Sequence, residues 1–207
     1  MFKNLFHADS ALMITMSQVT DCIFLSLFWL LGCIPVVTVG VSTAALYDAV
    51  YQGFRKGDKN SWQRFLSSYR RNLKSGILPG ILLAVAFLVV GWCLIQCWNA
   101  AVYAKISWTV FSGLAFLAVF GVGIFSLLAP MLSRFENSFS QLVKNTVFMA
   151  LANPVRSLLL GILNAGVIFM CAVVVFPLFF LPALAALIGT VLIEPMFKPY
   201  MPSEDAA

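Results

Sequence analysis

Residues 76–98 read GILPGILLAVAFLVVGWCLIQCW, a run of 23 residues without a charged side chain. A helix of about 20 mostly apolar residues is long enough to cross the hydrocarbon core of a bilayer. The whole chain has this character, because 61% of its 207 residues are hydrophobic, only 10% are charged and the mean hydropathy is +0.95. A soluble domain is about 25% charged. The composition therefore excludes a soluble enzyme and a disordered chain, and it indicates an integral membrane protein.

Other charge-poor segments predict further spans. Residues 106–131, 155–173 and 176–193 are each long enough to cross, and the last two are so close that they predict a tight hairpin. Residues 17–34 also read as a span, whereas residues 36–51 are shorter and rich in small side chains. The sequence therefore predicts an all-α, polytopic transmembrane helical bundle with five or six spans, depending on whether residues 36–51 cross the membrane.

The distribution of charge predicts the orientation. Residues 52–75 carry seven Lys and Arg against Asp58 alone, a net charge of +6, and cationic loops stay on the cytoplasmic side. Residues 133–156 carry three cations against Glu136, so this stretch is also expected inside, and the C-terminus is expected to be cytoplasmic. The overall net charge of +5 is explained by these loops, and no nucleic acid is expected as a partner.

An amphipathic segment precedes each of two pairs of spans, once from Ser61 and again from Glu136. In the first segment aromatic and apolar residues recur at helical spacing, while basic residues take the other faces. Its candidate docking residues are Trp62, Arg64, Tyr69, Arg70, Arg71 and Lys74. Both segments are predicted to form interfacial helices on the cytoplasmic membrane surface, where the cations bind either anionic lipid or a partner protein.

Few polar side chains fall within the apolar segments, where burying them is expensive. The candidates are Asp21, Asp48, Asn164 and Glu194. If the N-terminal segments form a hairpin, the three carboxylates reach a similar depth near the cytoplasmic interface. They then either bind a cation or relay protons as a cluster, or form ion pairs with Arg55, Arg156 or Lys198. Ion pairs are favoured, because interfacial charges cost less than midplane ones, and Asn164 is expected to link helices.

The sequence offers no catalytic or metal-binding motif. Its five cysteines all lie in apolar segments, and the one histidine is His7, so neither a disulfide framework nor a zinc site is predicted. Nucleotide-binding, zinc-protease and serine-hydrolase motifs are absent from the sequence. Gly121 and Gly123 are interpreted as ordinary membrane glycines. We expect no enzyme activity and no cofactor.

The hairpin between the first two segments contains a distinctive motif, formed by Trp29, Pro35, Thr38, Gly40 and Thr43. The proline ends one helix, a hydroxyl side chain can cap the next, and small residues permit close packing. A packed hairpin is the simpler interpretation. The alternative is a broken-helix site, in which the backbone of residues 35–40 lines a cavity.

Residues 29–74, which contain this motif and the aromatic and basic segment after it, resemble the YesL-like family of bacterial membrane proteins. That family is of unknown function, and its members tend to be encoded beside carbohydrate ABC importers in Gram-positive bacteria. The resemblance implies an accessory role in sugar uptake, with ABC permease subunits as expected partners, in the bacterial cytoplasmic membrane. It implies no active-site residues.

The chain is expected to form a single membrane domain, residues 1–207. Its segments are an N-terminal hairpin (1–54), a basic loop with an interfacial helix (55–75), a helix pair (76–131), a second interfacial helix (132–154), another helix pair (155–195) and a cytoplasmic tail (196–207). Three classes of function stay open: an accessory subunit, a small transporter or channel, and a regulatory protein. The first is preferred, because the spans supply almost no polar route. The lipid bilayer is an expected partner, and a homo-oligomer is an alternative assembly.

Overall fold

The structure is a computed structural model that describes residues 3–57, 60–103, 108–135, 138–174 and 176–200. These ranges contain helices and connecting turns, with no β-strand among them. The helices are α1 (Lys3–Cys33), α2 (Val39–Val50), α3 (Ser61–Val102), α4 (Trp108–Ser126), α5 (Leu128–Arg134), α6 (Phe139–Ala152), α7 (Pro154–Val173) and α8 (Leu181–Phe197). Short helical turns cover Val36–Thr38, Tyr51–Arg55, Phe176–Phe179 and Lys198–Tyr200. The predicted all-α class is confirmed for this part of the chain.

Four helical segments are long and apolar enough to cross a membrane. They are Ser61–Val102, Trp108–Arg134, Pro154–Val173 and Leu181–Tyr200, and they overlap the four spans predicted from residue 76 onward. The N-terminal segment Gln18–Cys33 is apolar but shorter. The helices are therefore compatible with a membrane protein that has four candidate spans.

Helix α2 lies at the centre of the bundle. Ten of its 12 residues are buried, and α1, α3, α5 and α8 pack around it. Small residues over 40–45 allow this close approach. At about 1.5 Å per residue the helix is roughly 18 Å long, shorter than a hydrocarbon core of about 30 Å. Helix α2 is therefore buried within the bundle and does not lie exposed along a surface.

Helix α3 continues from Ser61 to Val102 over 42 residues, so the first amphipathic segment and the first span form one helix. The expectation of a separate interfacial helix is wrong for this segment. The side chain of Phe65 in this segment contacts protein and not the membrane surface. Phe65 is only 2% exposed and stacks on Phe28 of α1 with 6.0 Å between ring centroids. Phe65, Leu66 and Tyr69 of this segment pack against the α1–α2 hairpin, whereas Trp62 stays half exposed.

The second amphipathic segment does form a separate helix, α6, although Glu136 lies outside the described residues. At its start the Ser138 N–H donates to the Gln141 side chain at 3.3 Å, as in a capping box. At its end Pro154 opens α7, because proline is tolerated in the first turn of a helix. Leu142 is buried against α5 and α2, whereas Phe139 and Val147 are exposed, so only part of this apolar stripe faces the bundle.

Glycines allow a close approach of α3 to α2 and to the turn before α2. A Cβ added to Gly40 would lie 2.7 Å from the Gly80 Cα, and one added to Gly80 would lie 2.6 Å from the Val37 carbonyl oxygen. A Cβ on Gly76 would meet the Val41 side chain at 2.7 Å. Gly76 and Gly80 have the four-residue spacing of close helix pairs. Their role was not recognised from the sequence.

A second glycine pair brings α4 and α7 together. A Cβ on Gly123 would overlap the Ser157 carbonyl oxygen, and a Cβ on Gly161 would overlap the Val119 carbonyl oxygen. By contrast, a Cβ on Gly121 would meet nothing within 4 Å. The interpretation of these residues as ordinary glycines is therefore wrong for Gly123, which packs directly on the facing backbone.

An aromatic cluster marks the far end of the α3–α4 pair. Trp98, Trp108 and Phe111 contact one another edge to face, with ring centroids 5.7 to 5.9 Å apart. Tryptophan is enriched where a membrane meets water. Basic residues lie toward the opposite end of α3, where Lys74 is exposed. Cations and aromatic residues thus mark the two ends of the apolar part of α3.

Candidate functional site

The hairpin motif is closed by side-chain hydrogen bonds to backbone carbonyls. The Thr38 hydroxyl lies 2.8 Å from the carbonyl oxygens of both Gly32 and Pro35 and is the donor to them. The Ser42 hydroxyl donates to the Trp29 carbonyl oxygen at 2.9 Å. Carbonyls near the end of a helix need such partners when they are buried. The hydroxyl groups of Thr38 and Ser42 are these partners.

The remaining motif residues also make contacts within the hairpin and its neighbour. The Trp29 indole Nε1–H donates to the Thr43 hydroxyl at 3.2 Å, and Gly40 is buried against Gly80 of α3. These contacts support the packed hairpin over the broken-helix site, because the polar atoms near the turn bond to one another.

Asp48 lies on α2 between two arginines of α3. Its side chain is 4% exposed, and its Oδ2 lies 3.5 Å from Arg64 Nε and 3.7 Å from Arg71 Nη2. A buried carboxylate is expensive without such partners. Ion pairing of Asp48 agrees with the favoured interpretation, but its partners are not the expected Arg55, Arg156 or Lys198. Arg55 instead donates to the Thr190 hydroxyl at 3.3 Å.

Glu194 of α8 forms a second network, which we call the Glu194 network. Arg134 Nη2 donates to Glu194 Oε1 at 2.7 Å, and the Tyr47 hydroxyl donates to the same oxygen at 2.8 Å. The Arg134 guanidinium carbon also lies 3.8 Å from the centroid of the Tyr51 ring, a cation–π contact. The network joins α2, the turn after it, α5 and α8.

Three members of the Glu194 network, Tyr47, Tyr51 and Arg134, were not predicted as site residues from the sequence. The position of Arg134, the first charge after the long apolar run of α4 and α5, was an available signal. A lone arginine at the end of a span needs a carboxylate partner when it packs inside a bundle.

The other two polar candidates lie elsewhere. Asn164 donates to the Leu160 carbonyl oxygen of its own helix at 2.9 Å, so this bond does not link two helices as was expected. Asp21 lines a hollow between α1 and the start of α3, together with Trp62. Among the described residues, no three His, Cys, Asp or Glu side chains lie close enough to hold a metal ion.

Two exposed cations of α3, Arg70 and Lys74, form a surface that we call the basic face, and the neighbouring Arg71 is also exposed but contacts Asp48. Neither Arg70 nor Lys74 forms an ion pair with a residue in the described ranges. Tyr69 is half-buried and stacks on Phe65 with 6.1 Å between centroids, while Trp62 is 49% exposed. The predicted docking residues thus divide into a packed group and an exposed group.

These features define a helical protein with four candidate membrane spans, a buried central helix and two internal ion-pair networks. The family model described as "Protein of unknown function, DUF624" matches residues 22–92. The matched part contains the hairpin motif, the Asp48 ion pairs and the basic face. No curated protein and no solved structure matches the chain.

Proposed function

We propose that this chain is a non-enzymatic integral membrane protein of the bacterial cytoplasmic membrane, and that it acts as an accessory or assembly subunit of a carbohydrate ABC importer. The resemblance of residues 29–74 to the YesL-like family supports the kind of partner. The observation that carries the proposal is the basic face, since Arg70 and Lys74 are exposed and form no ion pair within the described residues.

The surroundings of the basic face suit a docking surface. Asp48 binds Arg64 and Arg71 of the same helix, and Phe65 packs on α1, so this part of α3 is held in place. A surface that is rigid before binding loses less conformational entropy when a partner docks. Its positive charge favours an acidic surface on that partner. An ABC permease subunit is the partner proposed.

The alternative function, a small independent transporter or channel, needs a polar route through the spans. Three of the four polar candidates, Asp48, Glu194 and Asn164, instead have hydrogen-bond or ion-pair partners within the bundle, and only Asp21 of the four lines a hollow. Intramembrane polar groups that bind a substrate are expected to face a cavity. This pairing favours the accessory role over transport, and a regulatory role would use the same basic face.

Affinity capture of the tagged full chain from its native membrane in mild detergent tests the proposed function. We expect ABC permease subunits to be recovered in a fixed ratio to the tagged chain. Recovery of the chain alone, or only of its own oligomer, would contradict the proposal. Flux of a sugar or an ion in liposomes that contain only the purified chain would then support the transporter.

The proposal includes a membrane topology in which only α3, α4–α5, α7 and α8 cross. Trp98 lies 24 residues beyond Lys74, roughly 36 Å along a helix at about 1.5 Å per residue, which matches the thickness of a bilayer. The turn of the α1–α2 hairpin contacts α3 at Gly80, only about 9 Å beyond Lys74. We therefore infer that the hairpin enters from the cytoplasmic side and returns without crossing.

Single cysteines placed in a cysteine-free variant test this topology with a charged, membrane-impermeant maleimide. Tyr103→Cys should react in intact cells, and Met16→Cys should react only after the membrane is opened, because each side chain is exposed but on opposite sides. Val37→Cys, at the hairpin turn, should resist the reagent from both sides. Reaction of Val37→Cys in intact cells would show that the hairpin crosses.

A further inference from the structure

A hollow of about 300 Å³ lies between α1 and the start of α3. It is lined by Asp21, Phe24, Leu25, Phe28, Ser61 and Trp62. This volume is at the lower end of the range of small-molecule sites, roughly 300–1,000 Å³. None of its lining residues belongs to the basic face or to the Glu194 network, and the proposed function does not use the hollow.

The chemistry of the lining is specific. Three of the six residues are aromatic, and the charged one is a carboxylate, Asp21. Among the described residues Asp21 has no ion pair, in contrast to Asp48 and Glu194, which each contact an arginine. A carboxylate beside aromatic faces attracts an organic cation, because ring quadrupoles and the negative charge act in the same direction.

We propose that this hollow binds an alkylammonium group, with Asp21 as its counter-ion and Phe24, Phe28 and Trp62 as its aromatic walls. Phe24 and Trp62 are both about half exposed, so the hollow is open to a ligand from outside the bundle. The ammonium group comes either from a lipid headgroup such as phosphatidylethanolamine or from a soluble amine. The two sources share the same binding chemistry.

Fluorine NMR tests the proposal on the full chain labelled with 5-fluorotryptophan in mild detergent. The Trp62 resonance is assigned by its loss in W62F, and tetramethylammonium chloride is then added against sodium chloride at equal ionic strength. We expect a saturable shift of the Trp62 resonance and none of the Trp92 resonance, since Trp92 lies on the far half of α3. Asp21→Asn should weaken the apparent affinity about tenfold, whereas Asp21→Glu should retain it.

A second set of samples separates the two sources of the ammonium group. In nanodiscs, replacing phosphatidylglycerol partly with phosphatidylethanolamine should shift the Trp62 resonance and weaken tetramethylammonium binding if the lipid is the occupant. A response to the soluble cation alone would assign the hollow to soluble amines. No saturable shift in either sample, or an equal shift in Asp21→Asn with an unchanged elution profile, would overturn the proposal.

Discussion

Replacement of Arg134 by methionine is expected to destabilise the bundle by about 3–5 kcal/mol, the range measured when one partner of a buried ion pair is removed. The Arg134 and Glu194 side chains are only 13% and 17% exposed. In the variant the carboxylate keeps the Tyr47 hydroxyl but loses its positive partner. Reversible unfolding in mixed micelles, followed by tryptophan fluorescence, measures the free energy of unfolding.

The double variant R134M/E194Q is the matched control. It removes both charges, so no unpaired carboxylate stays buried, and it should be more stable than R134M alone. Equal stability of the two variants would mean that the charge of Glu194 is already solvated. The Glu194 network would then not be what holds α8 against α2 and α5.

The second large effect is expected at the α4–α7 crossing. Gly161→Ala should destabilise the protein by about 3 kcal/mol, the upper end of the usual range for overpacking. The added Cβ overlaps the Val119 carbonyl oxygen, and a backbone atom cannot move aside as a flexible side chain can. Thermal unfolding and the fraction of monodisperse protein after size-exclusion chromatography measure the loss.

Gly121→Ala provides the control for this prediction. Gly121 lies on α4 two residues before Gly123, and a Cβ there meets nothing within 4 Å. Alanine favours a helix over glycine by about 1 kcal/mol, so this variant should be neutral or slightly stabilised. A similar loss in both variants would contradict the assignment of the close contact to Gly161.

The four long spans could be predicted from the sequence because the hydrocarbon core imposes a length and a lack of charge that single segments display. Helix α2 could not be placed in the same way. Its small residues allow close packing on four helices, but the same composition also suits a short span, so the sequence does not predict that α2 is buried. The sequence also did not predict that α3 is continuous, because aromatic residues such as Phe65 and Tyr69 give the same sequence pattern whether they face lipid or pack on α1.

The polar candidates were found from the sequence, but their partners were not. Asp48, Asn164 and Glu194 stand out because they interrupt apolar segments. Their partners come from other parts of the chain, as with Arg134, which lies 60 residues before Glu194. Such pairs depend on how helices rotate and cross, which hydropathy does not encode. The close contact of Gly123 with α7 depends on the same crossing.

A charge-reversal pair in the basic face tests whether this face docks a partner. R70E/K74E should leave the fold intact, because neither residue is ion-paired in the described part of the chain. Reversal of Arg71 is less suitable, since Arg71 also binds Asp48. The control K56E/K198E makes the same change in charge at two exposed lysines outside α3.

The measurement is the ratio of co-purified permease subunit to tagged chain, compared between wild type, R70E/K74E and K56E/K198E at equal abundance in the membrane. We expect at least a tenfold loss of this ratio in R70E/K74E, which corresponds to about 1.4 kcal/mol, and little change in K56E/K198E. An unchanged ratio in R70E/K74E, or an equal loss in both variants, would contradict docking through the basic face.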